Sequence, residues 1–236
     1  MAGIKLENLW KSYTVDGRQV PVLNGVDLQI PAGSITVILG RSGCGKTTLL
    51  RLVGGLESPD RGNIKFEAEH KAAFVFQESR LMPWLTVWDN VRFGLQKQEY
   101  RRTELQHMID LVGLGGFEKA FPHQLSGGMR QRAAIARALA YHPSFLLMDE
   151  PFAALDYFTR SQMQRELLRL KQESGVSILF VTHSIDEALL LGHKIVVVEG
   201  GLIQKEFTIE ENEGQRNLLS PALIAQKKAI IEELHL

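Results

Sequence analysis

A glycine-rich segment at residues 40–47 constrains the fold of this chain more than any other feature. Its sequence, GRSGCGKT, fits the pattern G-x-x-x-x-G-K-[ST]. The pattern requires a buried strand before the loop and a helix after it, because backbone N–H groups and the positive end of the helix dipole together hold phosphate groups. An apolar stretch precedes the segment at 34–39, and a helical pattern follows it at 46–53. The segment therefore predicts a strand–loop–helix unit that binds the phosphates of a nucleotide.

The side chains of this loop have separate predicted roles. We expect Lys46 to reach the β- and γ-phosphates and the hydroxyl of Thr47 to ligate Mg²⁺. Cys44 is the only cysteine of the chain, and we interpret it as a loop residue because no neighbouring base would activate its thiol. The residues predicted to bind the nucleotide through this loop are Gly40, Arg41, Ser42, Gly43, Cys44, Gly45, Lys46, Thr47 and Thr48.

Short apolar segments alternate with helical patterns over much of the chain. This alternation predicts a doubly wound, mostly parallel sheet with helices on its faces. The predicted strands are 34–39, 145–148, 177–181 and 194–198, and the predicted helices are 46–53, 129–140, 157–173 and 185–191.

Two regions depart from this alternation. The stretches 4–10 and 20–30 alternate apolar and polar residues, which predicts antiparallel strands with one solvent-facing side. Residues 87–141 contain only helical patterns, which predicts a helical subdomain inserted between strands of the sheet. Near the end of the chain, an acidic segment at 210–214 predicts a loop before a terminal helix at about 221–234.

Together these patterns predict one α/β domain. It has a P-loop NTPase core with a parallel sheet flanked by helices, an N-terminal antiparallel β lobe and an inserted helical subdomain. The predicted boundaries are 1–86 and 142–210 for the core with its β lobe, 87–141 for the helical subdomain and 211–236 for a C-terminal extension. The extension is either a regulatory tail or a packing helix. No apolar run approaches the roughly 20 residues that span a bilayer, so a membrane role requires a partner protein.

Two adjacent carboxylates follow the apolar strand at 145–148. In open α/β sheets, ligands bind beyond the carboxyl ends of the strands. We expect Asp149 to hold Mg²⁺ through water and Glu150 to activate the attacking water as a general base. The alternative is that the pair only caps the next helix, but Pro151 and the phosphate loop upstream favour the catalytic interpretation. Glu150 thus extends the prediction from nucleotide binding to hydrolysis.

The segment at 125–132, LSGGMRQR, is the second strong signal. Ser126 is suited to cap a helix, while Gly127 and Gly128 leave backbone N–H groups open to an anion. Here the chain resembles the ATP-binding cassette (ABC) family. The resemblance implies that this segment faces the nucleotide of the opposite subunit in a head-to-tail homodimer bridged by ATP.

Four further residues match motifs of that family. Tyr13 matches the aromatic residue that stacks on adenine, and Gln77 matches the glutamine that reaches Mg²⁺ and the attacking water. Asp156 matches the loop that contacts the opposite subunit, and His183 matches the histidine that contacts the γ-phosphate. Each has a structural alternative: a strand-edge tyrosine, a polar residue at a strand end, a helix cap and a structural histidine.

Several stretches look like the ATPases of nitrate, sulfonate and taurine importers. They include residues 76–78, 81–84, 122–125, 151–156 and 186–188. This resemblance implies ATP hydrolysis that drives import of a small anion at the cytoplasmic face of the membrane. It also implies a separate integral membrane permease and an extracytoplasmic substrate-binding protein.

The chain departs from this subfamily at two places. The segment at 62–76 is shorter than the corresponding region of those importers, so we expect a smaller antiparallel lobe. Ser184 stands where aspartate is common, but a serine still caps the helix that begins there.

The segment LMPWL at 81–85 is a candidate docking surface for the permease, because exposed Trp and Met side chains are frequent interface anchors. The same residues would alternatively pack the helical subdomain against the sheet.

Other functional classes share some of these motifs. Soluble ABC ATPases that act on DNA or ribosomes carry coiled-coil insertions or two linked cassettes, and neither is present here. The 27 basic residues balance 27 acidic ones, so the composition predicts no nucleic-acid partner. A metabolite kinase would share the phosphate loop but would have no use for Ser126, Gly127 and Gly128.

Overall fold

The computed structural model describes residues 3–67, 71–96, 100–211 and 216–234. Its strands are β1 (Ile4–Val15), β2 (Arg18–Ile30), β3 (Ile35–Leu39), β4 (Arg61–Phe66), β5 (Ala72–Val75), β6 (Phe145–Asp149), β7 (Ser177–Thr182), β8 (Lys194–Glu199) and β9 (Leu202–Thr208). Its α-helices are α1 (Lys46–Val53), α2 (Val87–Val91), α3 (Arg102–Leu111), α4 (Gly127–Ala140), α5 (Tyr157–Ser174), α6 (Ile185–Leu191) and α7 (Pro221–Glu233), and a 3₁₀-helix spans Pro122–Gln124.

The larger sheet has the strand order β5-β6-β7-β3-β8-β9. Its first five strands are parallel, and β9 pairs with β8 in the antiparallel direction. Every residue of β3, β6 and β7 is buried, as expected for central strands covered by helices on both faces. The predicted α/β fold with a parallel sheet is therefore confirmed.

The smaller sheet is antiparallel, with the order β2-β1-β4. Asp16 and Gly17 join β1 to β2 with positive φ angles of 49° and 75°, which suits a tight hairpin turn. Apolar residues of this sheet, among them Leu6 and Leu28, form one core cluster with Leu49 of α1. The sheet thus packs directly against the helix that follows the phosphate loop.

Strands β4 and β9 were not predicted. In β4 the exposed and half-buried residues simply alternate, and most of β9 is solvent-exposed, so neither carries the apolar run that marks the central strands. The smaller antiparallel lobe was predicted from the short segment at 62–76. Residues 68–70 of that segment lie outside the described residues, so the smaller lobe stays a prediction.

Helices α2, α3 and α4 lie between β5 and β6 along the chain. Ala133 and Ala136 of α4 belong to the main core cluster together with Leu105 and Ile109 of α3 and Val87 of α2. The small side chains of α4 let this helix pack closely against its neighbours. The helical segment is therefore held by the same core as the parallel sheet.

The C-terminal helix α7 packs on the domain. Ser220 caps it by accepting a hydrogen bond from Leu223 N at 3.3 Å, and Leu223 and Ile230 are buried in the main core. Lys227 forms an ion pair with Asp186 of α6 at 2.6 Å. Part of the predicted acidic loop, 212–214, lies outside the described residues. None of the described helices is long and apolar enough to cross a membrane.

Candidate nucleotide-binding and hydrolysis site

The register of the parallel sheet brings three functional segments to one edge. Leu39 of β3 pairs with Thr182 of β7, and Asp149 of β6 pairs with Val181 of β7. The strands therefore end at the same level. Their continuations, which carry Gly40, Glu150 and His183, emerge side by side.

The phosphate loop wraps around the side chain of Lys46. The Lys46 ammonium donates hydrogen bonds to the carbonyl oxygens of Gly40 and Arg41, both at 2.9 Å, and the residue is only 6% exposed. Gly40 has no room for a side chain, because a Cβ there would lie 2.2 Å from Val198 O. Cys44 is also buried, and burial raises the pKa of its thiol, so it is kept in the unreactive protonated form.

Thr47 and Asp149 form a cluster of oxygen atoms beneath the loop. The Thr47 hydroxyl donates to Asp149 Oδ1 at 3.1 Å. Burial raises the pKa of the Asp149 carboxyl, and the hydrogen bond from Thr47 opposes that shift. A hydroxyl and a carboxylate are hard oxygen ligands of the kind that Mg²⁺ takes together with phosphate oxygens. Among the described residues, no group of three or more His, Cys, Asp or Glu side chains is arranged to hold a metal ion. The Thr47–Asp149 pair fits Mg²⁺ that keeps water and phosphate oxygens among its ligands.

Glu150 and His183 face each other at the strand ends. His183 Nδ1 lies 3.1 Å from Glu150 Oε1. Glu150 has a φ of 44°, a left-handed conformation that costs a non-glycine residue free energy and is frequent at functional sites. The backbone N–H of Glu150 donates to Val181 O at 3.0 Å, which ties this strained residue to β7.

A cavity of about 390 Å³ opens between these segments. Half of the residues predicted for binding and hydrolysis line it, together with an apolar residue that was not predicted, Val22 of β2. The lining residues are Val22, Ser42, Gly43, Gly45, Lys46, Thr47, Thr48, Gln77, Glu150 and His183.

Tyr13 lies next to this cavity without lining it. Its hydroxyl donates a short hydrogen bond to the Glu57 carboxylate and lies 3.4 Å from the Thr48 hydroxyl. Burial and the neighbouring Glu57 raise the pKa of the Tyr13 phenol. Glu57 was not predicted, because no local motif marks it. The tyrosine ring is therefore oriented by two polar residues beside the mouth of the cavity.

The Ser126 turn lies on the surface, outside this cavity. Ser126 Oγ accepts a hydrogen bond from Met129 N at 3.2 Å and thereby caps α4. Both Ser126 and Gly127 are exposed. Gly128 lies against residues 154–155, because a Cβ on it would be 3.2 Å from Leu155 Cδ2. In the described part of the chain, no hydrogen bond joins these residues to the phosphate loop.

Asp156 is likewise exposed and caps a helix. Its Oδ1 accepts a hydrogen bond from Thr159 N at 3.0 Å, and this bond lowers the pKa of the Asp156 carboxyl. The capping alternative stated for Asp156 is therefore observed. Since the carboxylate is at the surface, capping does not prevent it from also meeting a neighbouring molecule.

Comparison with known proteins decides the family. Residues 23–153 match the family model described as "ABC transporter". The chain is 45% identical to the aliphatic sulfonates import ATP-binding protein SsuB 1 of Pseudomonas savastanoi, over 91% of this chain and 90% of that protein. It is also 45% identical to the taurine import ATP-binding protein TauB of Yersinia pestis, over 90% of this chain and 86% of that protein. The chain belongs to the ABC transporter family.

A solved structure supports the same assignment. The dimeric post-hydrolysis state of an ATP-binding cassette bound to ADP and Pi superimposes with a TM-score of 0.80. It shares 32% sequence identity and covers 89% of this chain and all of that one. This ABC cassette is accordingly an ATP-binding subunit and an ATPase.

In this cassette, the helix that carries the Ser126 turn is also bonded to the segment after β5. Gln131 of α4 donates to Phe76 O at 2.8 Å, and Arg137 donates to Ser79 O at 3.1 Å and to Arg80 O at 2.8 Å. Burial lowers the pKa of the Arg137 guanidinium. These contacts were not predicted, because they join residues more than 50 positions apart. They fix the Gln77 segment against α4.

Proposed function

We propose that this ABC cassette drives the import of a small organic sulfonate, such as taurine or an alkanesulfonate, through a separate membrane permease. The observation that carries the proposal is the identity of about 45% with proteins named for these imports, over nearly the whole chain. Nitrate is the other anion that the sequence motifs favour. The cassette would sit at the cytoplasmic face of the membrane through its permease and would serve a substrate-binding protein outside.

The cavity residues support a division of labour in ATP hydrolysis. The backbone N–H groups of the loop and Lys46 bind the triphosphate. Thr47, Asp149 and Gln77 would hold Mg²⁺, which neutralises charge on the phosphates. Glu150 would accept a proton from the attacking water. His183, whose Nδ1 lies 3.1 Å from the Glu150 carboxylate, would hold that carboxylate and contact the γ-phosphate. Tyr13 offers its ring to the adenine.

The exposed residues support a head-to-tail homodimer. Ser126, Gly127 and Gly128 present the N-terminus of α4 to solvent, where bare N–H groups attract an anion. Asp156 lies on the same surface, because Gly128 touches the 154–155 segment. We expect these residues to complete the ATP site of a second copy. The related cassette structure, described as dimeric and bound to ADP and Pi, supports the proposal of a dimer.

The structure of the loop at 82–86 supports the proposal that the permease docks there. The buried side chain of Asn90 holds this loop: it accepts from Met82 N at 2.8 Å and donates to the carbonyl oxygens of Met82, Leu85 and Thr86 at 3.0–3.2 Å. Trp84 is nevertheless 70% exposed. A large aromatic side chain held out by an ordered loop is suited to anchor a partner, since little conformational entropy is lost on binding. Leu81, in contrast, packs on the core.

Replacement of Trp84 by Ala tests the proposal. In vesicles that contain the assembled transporter and its binding protein, we expect taurine uptake to fall roughly tenfold or more, since a hot-spot aromatic contributes about 2 kcal/mol or more at an interface. ATP hydrolysis by the isolated cassette should not change, because Trp84 does not line the cavity.

Leu219 provides the control. It is 80% exposed but lies in the C-terminal segment, so Leu219→Ala should leave both uptake and hydrolysis unchanged. Normal uptake with Trp84→Ala would contradict docking through this loop. The transport function itself would be contradicted if DNA or ribosomes stimulated ATP hydrolysis and the assembled transporter with its substrate-bound binding protein did not.

A further inference from the structure

A buried carboxylate, Glu187 of α6, lies directly behind the His183 turn. Only 8% of Glu187 is exposed. Its Oε2 accepts a hydrogen bond from the Thr182 hydroxyl at 2.6 Å, and the same hydroxyl oxygen accepts one from Ser184 N at 3.0 Å. Thr182 and Ser184 flank His183 on both sides. Glu187 therefore fixes the turn from which the His183 imidazole projects.

The second carboxylate oxygen of Glu187 faces α5. Gln164 donates to Oε1 at 3.4 Å, and Arg160 Nε lies 3.9 Å from the same atom. Arg160 Nη2 in turn donates to Leu155 O at 2.9 Å. Leu155 precedes Asp156 in the exposed loop at 154–156. A continuous set of polar contacts thus runs from that loop to the His183 turn.

The contact between Arg160 and Glu187 is incomplete. Arg160 Nε is buried and has no hydrogen-bond partner within the described ranges, although the Glu187 carboxylate is less than 1 Å beyond hydrogen-bond range. A cavity of about 80 Å³ lies beside the pair. Its lining residues are Glu150, Ala153, Arg160, Thr182, His183, Ser184 and Glu187. A small shift of the 154–156 loop would therefore change the Arg160–Glu187 contact next to the hydrolysis pair.

We propose that Glu187 is a positioning residue for ATP hydrolysis, which joins the His183 turn to the 154–156 loop through Arg160. A second copy that presses on the loop thereby sets the alignment of His183 and Glu150. This inference rests on the proposed roles of those two residues. It gives Glu187 and Arg160 a part in the reaction although neither lines the nucleotide cavity.

The variant Glu187→Gln tests this role, because it keeps the shape of the side chain and removes the charge that faces Arg160. We expect kcat for ATP to fall roughly tenfold while KM stays within about twofold, since alignment for the reaction changes and ground-state binding does not. Asp186→Asn is the matched control. It makes the same chemical change at the adjacent position, on a half-exposed side chain paired with Lys227, and should leave kcat unchanged.

Two further variants separate positioning from folding. In a His183→Ala background, Glu187→Gln should lower the residual kcat by less than about twofold, because its target is already absent. Arg160→Gln should reproduce the loss on its own, and the double variant should be no slower than the slower single variant. The melting temperature of Glu187→Gln shows whether this variant folds. If it folds poorly, Arg160→Gln still tests the inference.

A wild-type kcat in Glu187→Gln, or the same loss with and without His183, would overturn the inference. So would a loss that appears in KM alone. If Glu150→Gln and His183→Ala both hydrolyse ATP at the wild-type rate, the proposed roles of those two residues fail instead, and the two failures are distinguished.

Discussion

The phosphate-loop side and the Ser126 side of this cassette are built in opposite ways. On the first, Lys46 and Asp149 are buried and bonded to neighbours in their own chain. On the second, Ser126, Gly127 and Asp156 are exposed, and their hydrogen bonds serve only to cap helices. A surface with ordered N–H groups and no ligand of its own chain is suited to complete a site on another molecule. Under the proposed head-to-tail homodimer, these are two half-sites, each of which works only with a second copy.

The largest effect is expected at the buried half-site. Glu150→Gln should lower ATP turnover by roughly 10²-fold or more, in line with the loss of a general base, while ATP binding persists because the phosphate contacts remain. Turnover measured as phosphate release and binding measured with a fluorescent ATP analogue check the two parts. Glu173→Gln, an exposed ion-pair residue on α5, is the control. Near wild-type turnover in Glu150→Gln would rule out Glu150 as the base.

Mixing two inactive variants tests whether the exposed half-site acts on a second copy. Lys46→Ala removes phosphate binding, and Ser126→Arg blocks the exposed turn; we expect each alone to be inactive. In an equal mixture, random pairing makes about half of the dimers mixed, with one copy of each variant. Each mixed dimer has one intact composite site out of two, so about a quarter of wild-type activity should return. If the Ser126 turn instead served the loop of its own chain, mixing would restore nothing.

The smallest effect concerns stability and its dependence on pH. Burial raises the pKa of Asp149 in the folded state, so the folded protein binds this proton more tightly than the unfolded chain. The stability of the nucleotide-free protein therefore falls as pH rises from the unfolded pKa through the folded one. Asp149→Asn should remove this loss and raise the melting temperature near neutral pH, by roughly 1–3 °C for a domain of this size.

Asp156, on the exposed side, should change stability with pH in the direction opposite to Asp149. Its pKa is lowered by the hydrogen bond from Thr159 N, so its contribution is present above the unfolded pKa and is lost as pH falls through the folded one. Asp156→Ala should lower the melting temperature near neutral pH, because α5 loses its cap. Melting curves of both variants between acidic and neutral pH check the pair. If Asp149→Asn and Asp156→Ala shifted the melting temperature in the same direction near neutral pH, the contrast between the two half-sites would be contradicted.

Much of the fold and of the candidate site was predictable from contiguous patterns. The segment at 40–47 predicted its strand, loop and helix, and the apolar runs predicted β3, β6, β7 and β8 to within one or two residues at each end. Strands β4 and β9 were missed, because most of their residues meet solvent and little apolar periodicity remains. The phosphate-loop residues and Glu150 were named from local motifs, and Gln77 and His183 from the family resemblance. Six loop residues from 42 to 48 line one cavity together with Gln77, Glu150 and His183.

The sequence by itself determined the candidate residues for the phosphate chemistry, because a phosphate loop, a strand-end carboxylate and a capped glycine turn each consist of a few neighbouring residues. Only the tertiary structure decided how these pieces are joined. Glu57 beside Tyr13, Gln131 on Phe76 O and Arg160 between Leu155 and Glu187 bring together residues that are distant along the chain or on separate elements. Such contacts follow from packing and strand register, which no local pattern encodes.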